Sequence, residues 1–317
     1  GQGGVWLIHA NAPEVLVALM THDPAQWQDR YRIGYWAWET PLAPAQWVRA
    51  IRWLHEVWVS SNYVREALRA ALEKTGQTHL SERIRVMPHP LLSAPPAPDR
   101  TRFGLEDTRC ETLALFDVKS SPMRKNPWGA LNAWLSAFPV PDKHASLTIK
   151  VSDLDPATEA VLKQLIGQRP DIRLFTERLS DADMDRFIAS FDILISLHRS
   201  EGFGLGLLEA MNAGVSVVAT AGSGNDFLNE DNGYPVPYRL IPINDPDGPY
   251  SAIPRSPAQV WAEPDIDAAA AILRDLVASS EVRAAKMQAA RLTPSHLNRG
   301  WSPEALKAFD FNRWLDS

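Results

Sequence analysis

Residues 196–214 read Ser-Leu-His-Arg-Ser-Glu-Gly-Phe-Gly-Leu-Gly-Leu-Leu-Glu-Ala-Met-Asn-Ala-Gly, and they carry the densest signal for the fold class. An apolar strand is predicted to end at Ser196, a glycine-rich loop follows, and a helix begins near Leu205. In open α/β sheets, ligands bind at the carboxyl ends of the strands, where such a loop lies. Glycines let a backbone approach a ligand closely, and the free N–H groups at a helix start favour phosphate. The stretch therefore predicts a phosphate-bearing ligand at this loop.

Two glutamates flank the start of that helix. Glu201 precedes it, and Glu209 lies about one turn inside it. Both carboxylates are expected to face one cleft and to reach different ends of a ligand. Carboxylates accept hydrogen bonds from paired hydroxyls, which suits a sugar and a ribose. The alternative is that Glu201 only caps the helix and that Glu209 is a surface residue.

Short apolar runs alternate with helical patterns on both sides of this stretch, which predicts an α/β protein with mostly parallel sheets. A proline-rich segment over 88–98 is predicted to be a linker. We expect a first domain over 1–104 that lacks the first strands of a complete Rossmann-like unit. A second domain is expected over 105–290, and a helical segment over 291–317 is expected to pack back on the first. Strands are predicted at 6–8, 33–38, 57–59, 84–87, 113–116, 147–151, 172–175, 193–196 and 215–219, and helices from 13 and at 44–55, 63–74, 126–137, 158–166, 181–190, 205–213 and 266–279.

Composition narrows the class of protein. A net charge of −6 argues against a broad nucleic-acid-binding surface, so no nucleic-acid partner is expected. The single cysteine, Cys110, fits a reducing compartment, so a cytoplasmic location is expected. Seven of the 12 tryptophans fall in the first 58 residues. They predict a core rich in large side chains, with a sugar platform or a peripheral contact with the inner membrane face as alternatives.

The glutamate spacing, set in Ser-Glu-Gly-Phe-Gly-Leu-x-x-x-Glu-Ala-Met, resembles the signature of glycosyltransferase family 4, the retaining group 1 enzymes with the GT-B fold. The likeness continues through residues 213–220, where Ser216 replaces a usual proline. The resemblance implies two Rossmann-like domains that face a cleft. It also implies that Glu201 holds the hydroxyls of the donor sugar and that Glu209 binds the ribose. Backbone N–H groups for the donor would come from the loop residues Gly202, Phe203, Gly204 and Leu205.

A second, basic stretch covers residues 116–127, Phe-Asp-Val-Lys-Ser-Ser-Pro-Met-Arg-Lys-Asn-Pro. It resembles the family's loop of one arginine and one lysine, with Lys119 at the arginine position and Lys125 at the lysine position. Cleavage of a sugar–diphosphate bond builds negative charge on the leaving phosphate, which fixed cations stabilise. Because lysine lacks the bidentate fork of arginine, Arg124 is a further candidate for this role. A solvated basic turn is the alternative.

Other candidate residues rest on weaker patterns. Asn225 lies in a glycine-rich turn that flanks the donor site of the family. Arg178 and Leu179 lie where the family's backbone meets the nucleotide base, and His198 could line the pocket or orient the loop. Glu39 follows a strand near the expected acceptor side, where a carboxylate can bind an acceptor hydroxyl or receive its proton. His9 is a further candidate on that side. For Asn225, Arg178, Leu179, His198, Glu39 and His9, a purely structural role is the alternative.

The resemblance implies transfer of a hexosyl unit from a nucleotide-diphosphate sugar to a glycan or lipid-linked glycan, with retention of configuration, in polysaccharide or glycoconjugate biosynthesis. The sequence leaves the nucleotide open between UDP, GDP and ADP. We expect no cofactor and no metal, because the lysines supply positive charge and the acidic pairs Asp153/Asp155, Asp181/Asp183 and Asp245/Asp247 suit backbone capping. The alternatives are a degenerate module that binds nucleotide or glycan, a sugar-nucleotide epimerase and a phosphorylase.

Overall fold

Two separate parallel β-sheets organise the computed structural model, which describes residues 3–253 and 256–316 and leaves out the side chains at 119, 313, 315 and 316. The predicted α/β class is confirmed. Within the described ranges, no helix combines the length and apolar character needed to cross a lipid bilayer.

The first sheet has four parallel strands in the order β1-β2-β3-β4, with helices packed against it. Each strand joins the next through a helical connection, as the alternating pattern predicts. The elements are β1 (Val5–Ile8), α1 (Ala12–Thr21), β2 (Tyr31–Trp36), α2 (Val48–Ile51), β3 (Glu56–Val59), α3 (Asn62–Lys74) and β4 (Ile84–Val86).

Most of the clustered tryptophans belong to the core of this first unit. Trp36 is fully buried, and its ring meets that of Trp47 edge to face with centroids 5.6 Å apart. Trp27 and Trp58 are also buried, whereas Trp53 is 53% exposed. Edge-to-face aromatic pairs stabilise a core beyond their area burial. These contacts favour the core interpretation over the sugar platform or the membrane face.

The second sheet has six parallel strands in the order β10-β9-β8-β5-β6-β7. The strand order reverses between β5 and β8, so their carboxyl ends form the crevice where doubly wound sheets bind ligands. The loops that follow β5 and β8 carry the two motifs found in the sequence. The elements are β5 (Cys110–Asp117), α4 (Pro122–Lys125), α5 (Pro127–Ala137), β6 (Ala145–Ser152), α6 (Pro156–Ile166), β7 (Ile172–Phe175), α7 (Asp181–Ala189), β8 (Ile193–Ser196), α8 (Leu205–Ala213), β9 (Ser216–Thr220) and β10 (Tyr234–Val236).

A two-stranded antiparallel hairpin, β11 (Tyr238–Pro242) and β12 (Val260–Pro264), lies outside both sheets. The sequence patterns did not predict β10, β11 or β12. The chain then continues through helices that return toward the first sheet. These are α9 (Ile266–Ala278), α10 (Ser280–Ala285), α11 (Met287–Asn298), α12 (Pro303–Leu306) and α13 (Asp310–Asp316).

The returning segment contacts the first sheet through aromatic side chains. Trp301 and Phe309 pack edge to face on Trp58, each with centroids 5.5 Å apart. The Trp301 indole also donates a 2.7 Å hydrogen bond to the carbonyl of Pro88. The chain therefore crosses back to the first unit, while the exact domain boundaries stay a prediction.

The helix predicted over 44–55 is shorter than expected. A 3₁₀ turn over Ala45–Trp47 leads into α2, which ends at Ile51. The apolar spacing continues to Leu54, but the chain must turn there to begin β3 at Glu56. Arg83 stabilises that turn, because its guanidinium donates to the carbonyls of Ile51 and Leu54 at 3.2 and 2.6 Å.

Candidate functional site

A cavity of about 280 Å³ opens between the carboxyl ends of the two sheets. The first unit contributes Glu39, Ser60 and His89 to its wall. The second contributes the loop after β5 and the glycine-rich loop after β8. These are the positions where open α/β sheets place ligands, so this cavity is the candidate active site.

Glu201 lies between two cations in the wall of this cavity. Lys125 Nζ contacts its Oε1, and Arg124 Nη1 lies 3.4 Å from its Oε2. Arg124 is buried, and its guanidinium is fixed by bonds to the carbonyls of Ser200 at 2.7 Å and Ser120 at 3.2 Å. The two motifs therefore meet in one wall of the cavity, and Arg124 places a guanidinium there, while their roles toward a ligand stay predictions.

Electrostatics keep this carboxylate ionised. Burial alone would raise the pKa of Glu201, but Lys125 and Arg124 outweigh it and lower the pKa to about 2. For Arg124, burial works against the charged form, but Glu201, Tyr250 and Glu39 together outweigh it, so the pKa of Arg124 is raised. The pocket thus holds a fixed negative charge and two fixed positive charges, which can bind hydroxyls and phosphates respectively.

Residues of the first unit hold the loop that carries Glu201 through hydrogen bonds. Ser60 and Ser61, after β3, both donate to the carbonyl of Gly202, at 3.2 and 2.7 Å. Ser200 Oγ donates to the carbonyl of Glu39, and Tyr63 Oη lies 3.1 Å from Ser200 Oγ. The conformation of this loop therefore depends on residues from both units.

Two glycines make this approach feasible. A Cβ at Gly202 would lie 2.8 Å from the carbonyl oxygen of Trp38, closer than side chains pack. Gly204 has a φ of +94°, a left-handed conformation that favours glycine, and it caps α8. The glycine spacing in the sequence thus reflects one close contact between the two units and one helix start.

Glu39 faces Glu201 from the first unit. Its Oε2 accepts a 2.8 Å hydrogen bond from Tyr250 Oη, which comes from the connection between β11 and β12. Glu39 lines the cavity, as do Phe203, Gly204 and Leu205. The predicted acceptor-side carboxylate and the predicted donor loop are therefore in one place.

Glu209 does not line this cavity, so a role for both glutamates toward one ligand stays a prediction. Glu209 lies in a small separate pocket with Leu91 of the linker and Asp185 of α7. It follows Leu205 by one turn on the same face of α8, so it is displaced about 6 Å along the helix axis. The linker covers it there. Burial raises the pKa of Glu209, and the nearby negative charges of Asp185 and Asp181 raise it further.

His198 and Asn225 are both buried and do not line the cavity. His198 Nδ1 lies 3.1 Å from Ser196 Oγ, and burial lowers its pKa to about 4. Asn225 Nδ2 donates to the carbonyl of Thr220 at 3.0 Å, which holds the turn after β9. Direct contact of either side chain with a ligand stays a prediction.

The structure does not bring Arg178 and Leu179 to the cavity either. The Arg178 side chain is 72% exposed and pairs with Asp153, while Leu179 packs against the core. A backbone contact from these residues to a nucleotide base stays a prediction. Lys119 lies in a 3₁₀ turn after β5, but its side chain is outside the described residues.

The acidic pairs have structural partners. Asp155 caps α6, Asp183 pairs with Arg102 at 2.8 Å, and Asp245 accepts a 2.7 Å hydrogen bond from Ser121. Across the described ranges, no group of three or more histidine, cysteine, aspartate or glutamate side chains is arranged to hold a metal ion.

His89 is a cavity residue that the sequence patterns missed. It lies in the proline-rich linker, its Nδ1 is 2.9 Å from Tyr35 Oη, and its ring meets Phe203 edge to face at 5.2 Å. Burial lowers its pKa to about 4. The ring of His9 lies tilted against that of Tyr35, with centroids 5.0 Å apart, and His9 lines an adjoining open pocket of about 200 Å³. A lone histidine between prolines gives no periodic signal, so only the fold reveals its position.

Comparison with known families finds one matching profile. Residues 131–255 match the profile described as "Glycosyl transferases group 1". The matched stretch covers less than half of the chain, and the two parallel sheets have the GT-B fold. No curated protein sequence matches the chain significantly.

Solved structures share this fold at low identity. TarM from S. aureus, solved with Fondaparinux, alpha-GlcNAc-glycerol and UDP, is 14% identical with a TM-score of 0.63 over 96% of this chain and 54% of its own. HepE from Anabaena, solved with UDP and glucose, is 14% identical with a TM-score of 0.63 over 98% and 76%. Sucrose-phosphate synthase from Thermosynechococcus elongatus is 16% identical with a TM-score of 0.65 over 98% and 73%. The chain thus spans about half the length of TarM, at 54%.

Proposed function

We propose that this protein is a retaining glycosyltransferase that moves a hexosyl unit from a UDP-hexose to a hydroxyl of a glycan or lipid-linked glycan. The observation that carries the proposal is that Lys125 lies beside one carboxylate oxygen of Glu201 and Arg124 beside the other. Both contacts are in the cavity where the strand order of the second sheet reverses. Two cations that can bind phosphate therefore lie beside a carboxylate that can accept hydrogen bonds from sugar hydroxyls.

The cation pair suits the departure of a nucleoside diphosphate. Negative charge grows on the diphosphate as the sugar bond breaks, and pre-positioned cations stabilise that charge without reorganisation. Arg124 is held by two backbone carbonyls, so its guanidinium is already fixed. A bound diphosphate would compete with Glu201 for both cations, which would leave that carboxylate to accept hydrogen bonds from the sugar.

UDP is the nucleotide that the comparisons favour. TarM, HepE and the pneumococcal transferase GtfA were each solved with UDP. Glu209 remains the proposed ribose ligand, because it continues along α8 from the cavity. The linker residues Leu91 and Pro96 now lie beside it, so they must leave room when the nucleoside binds.

The acceptor would enter from the first unit, where Glu39 and His89 line the cavity. Glu39 offers a carboxylate that can accept a hydrogen bond from an acceptor hydroxyl. In a retaining reaction, the leaving phosphate would then help to deprotonate that hydroxyl. Synthesis of a polysaccharide or glycoconjugate is the process that such a reaction serves.

Thermal unfolding with UDP, GDP and ADP tests the donor class. A nucleotide at 100 times its dissociation constant adds about 2.7 kcal/mol to the free energy of unfolding. We expect UDP to stabilise the protein most, and stabilisation by GDP or ADP alone would refute the UDP assignment.

Radiolabelled UDP-glucose and UDP-N-acetylglucosamine then test turnover, with glycerol and p-nitrophenyl glycosides as acceptors. Labelled product together with free UDP supports transfer. Tight UDP binding with no turnover would instead establish a binding module. Conversion of the sugar nucleotide without an acceptor would establish an epimerase.

A further inference from the structure

The connection between β11 and β12 crosses from the second unit to the first. The hairpin itself is anchored beside the donor loop, because Arg199 pairs with Glu263 at 2.6 and 3.2 Å and donates to the carbonyl of Met123 at 2.7 Å. From this anchor the connection reaches the far wall of the cavity. Gln259 donates to the carbonyl of Leu42 at 3.2 Å.

Tyr250 makes the central contact of this crossing. Its hydroxyl donates to Glu39 Oε2 at 2.8 Å, and its ring meets Trp38 edge to face at 6.2 Å. The side chain is buried, and this burial raises the pKa of the Tyr250 hydroxyl. The negative charge of Glu39 raises it further. The hydroxyl therefore keeps its proton and serves as a hydrogen-bond donor to the carboxylate.

Hydrogen bonds fix the backbone of Tyr250 relative to the loop after β5, which carries Arg124 and Lys125. Its N–H donates to Asp245 Oδ2 at 3.1 Å, and Asp245 Oδ1 accepts from Ser121 Oγ at 2.7 Å. Ser121 in turn accepts from the N–H of Arg124 at 3.1 Å. One hydrogen-bonded chain thus runs from the donor-side cation to the acceptor-side carboxylate.

Only one oxygen of Glu39 is occupied by this contact. Among the described residues, no hydrogen bond reaches Oε1, although Glu39 lines the cavity. A carboxylate held at one oxygen presents the other in a fixed direction, and such pre-orientation lowers the cost of binding a hydroxyl.

We propose that Tyr250 is a positioning residue that holds the Glu39 carboxylate so that its other oxygen accepts the acceptor hydroxyl. This inference rests on the proposed transfer reaction. It assigns acceptor positioning to a side chain of the donor-binding unit, which reaches across the cleft on a hairpin outside both sheets.

The test compares Tyr250→Phe with Tyr238→Phe, a matched control on the exposed side of the same hairpin. The Phe variant keeps the ring and loses only the hydroxyl. With UDP-glucose and the acceptor that the wild type uses from the panel above, we expect kcat/KM for the acceptor to fall roughly 10- to 100-fold in Tyr250→Phe. The dissociation constant for UDP and the acceptor-free hydrolysis of UDP-glucose should match those of the control.

Glu39→Gln and the double variant make the test specific. If Tyr250 acts through Glu39, adding Tyr250→Phe to Glu39→Gln should lower acceptor kcat/KM no further. Additive losses, a matching loss of UDP affinity, or a Tyr250→Phe variant with wild-type kinetics would each overturn the inference. A wild type that binds UDP but transfers to no acceptor would refute the proposed function, and this inference with it.

Discussion

Arg124, buried beneath the cavity, holds its Nη1 3.4 Å from Oε2 of Glu201. The contact joins the loop after β5 to the loop after β8, and Arg124 and Glu201 are 77 residues apart in sequence. A buried ion pair of this kind loses most when one partner is removed, because the other charge stays uncompensated. Glu201 is therefore best probed by a substitution that keeps its shape.

Glu201→Gln should lower the rate of sugar transfer roughly 10²- to 10³-fold, since the carboxylate that would bind the donor sugar is lost. UDP should bind at least as tightly, because Lys125 and Arg124 lose their competitor. Transfer rates and calorimetry check both effects. Glu159→Gln, which loses a surface partner of Lys163, is the control. Normal turnover in Glu201→Gln would refute the assignment.

Lys125→Ala should weaken UDP binding about tenfold or more, because a charge-assisted hydrogen bond to phosphate is worth about 1.5–3 kcal/mol. Calorimetric titration with UDP measures the change. Lys163→Ala removes an exposed lysine far from the cavity and should leave the affinity intact. Equal affinities for the two variants would exclude a diphosphate role for Lys125.

Gly202→Ala should hold the two units apart, since its Cβ would meet the Trp38 carbonyl at 2.8 Å. We expect transfer to fall roughly tenfold or more from the strain of overpacking, with UDP affinity nearly unchanged. Small-angle scattering should detect a larger radius of gyration. Gly300→Ala, where the added Cβ meets open space, is the control. An unchanged radius together with unchanged activity would contradict this prediction.

His198 should make stability depend on pH. Burial lowers its pKa from 6.5 to about 4 in the folded protein, so the unfolded chain binds the proton first as the pH falls. The contribution of His198 to the free energy of unfolding should therefore be fully present above about pH 6.5. It should decrease by up to about 3 kcal/mol as the pH falls toward 4.

Urea unfolding at pH 7 and pH 5 measures that loss. His198→Gln should show a smaller drop than the wild type, and His296→Gln, an exposed control, should match the wild type. Identical drops in His198→Gln and the wild type would show that His198 does not titrate as expected.

The sequence predicted the fold class and the glycine-rich loop after β8 because both depend on local patterns. The strand ending at Ser196 and the helix Leu205–Ala213 lie where the apolar runs and glycines indicate. The meeting of Lys125 with Glu201 followed from the rule that parallel strands end at one edge of the sheet. Such inferences need only the strand order and the position of each loop.

The remaining features depend on contacts that no local pattern encodes. Helical spacing puts Glu209 one turn beyond Leu205, but it cannot tell that Leu91 of the linker lies beside it. Tyr250 lies in an irregular segment and meets Glu39 across 211 residues of chain. Asn225 resembles a ligand-binding residue in sequence, yet its amide holds the carbonyl of Thr220.

Ser60 and Ser61 of the first unit both donate hydrogen bonds to the carbonyl of Gly202 in the second. This contact limits how either half of the protein can be exchanged for that of a relative. A chimera that joins this donor half to the acceptor half of a relative would inherit a donor loop without its two hydroxyl donors. Such a hybrid should need both serines grafted along with it before it regains full turnover.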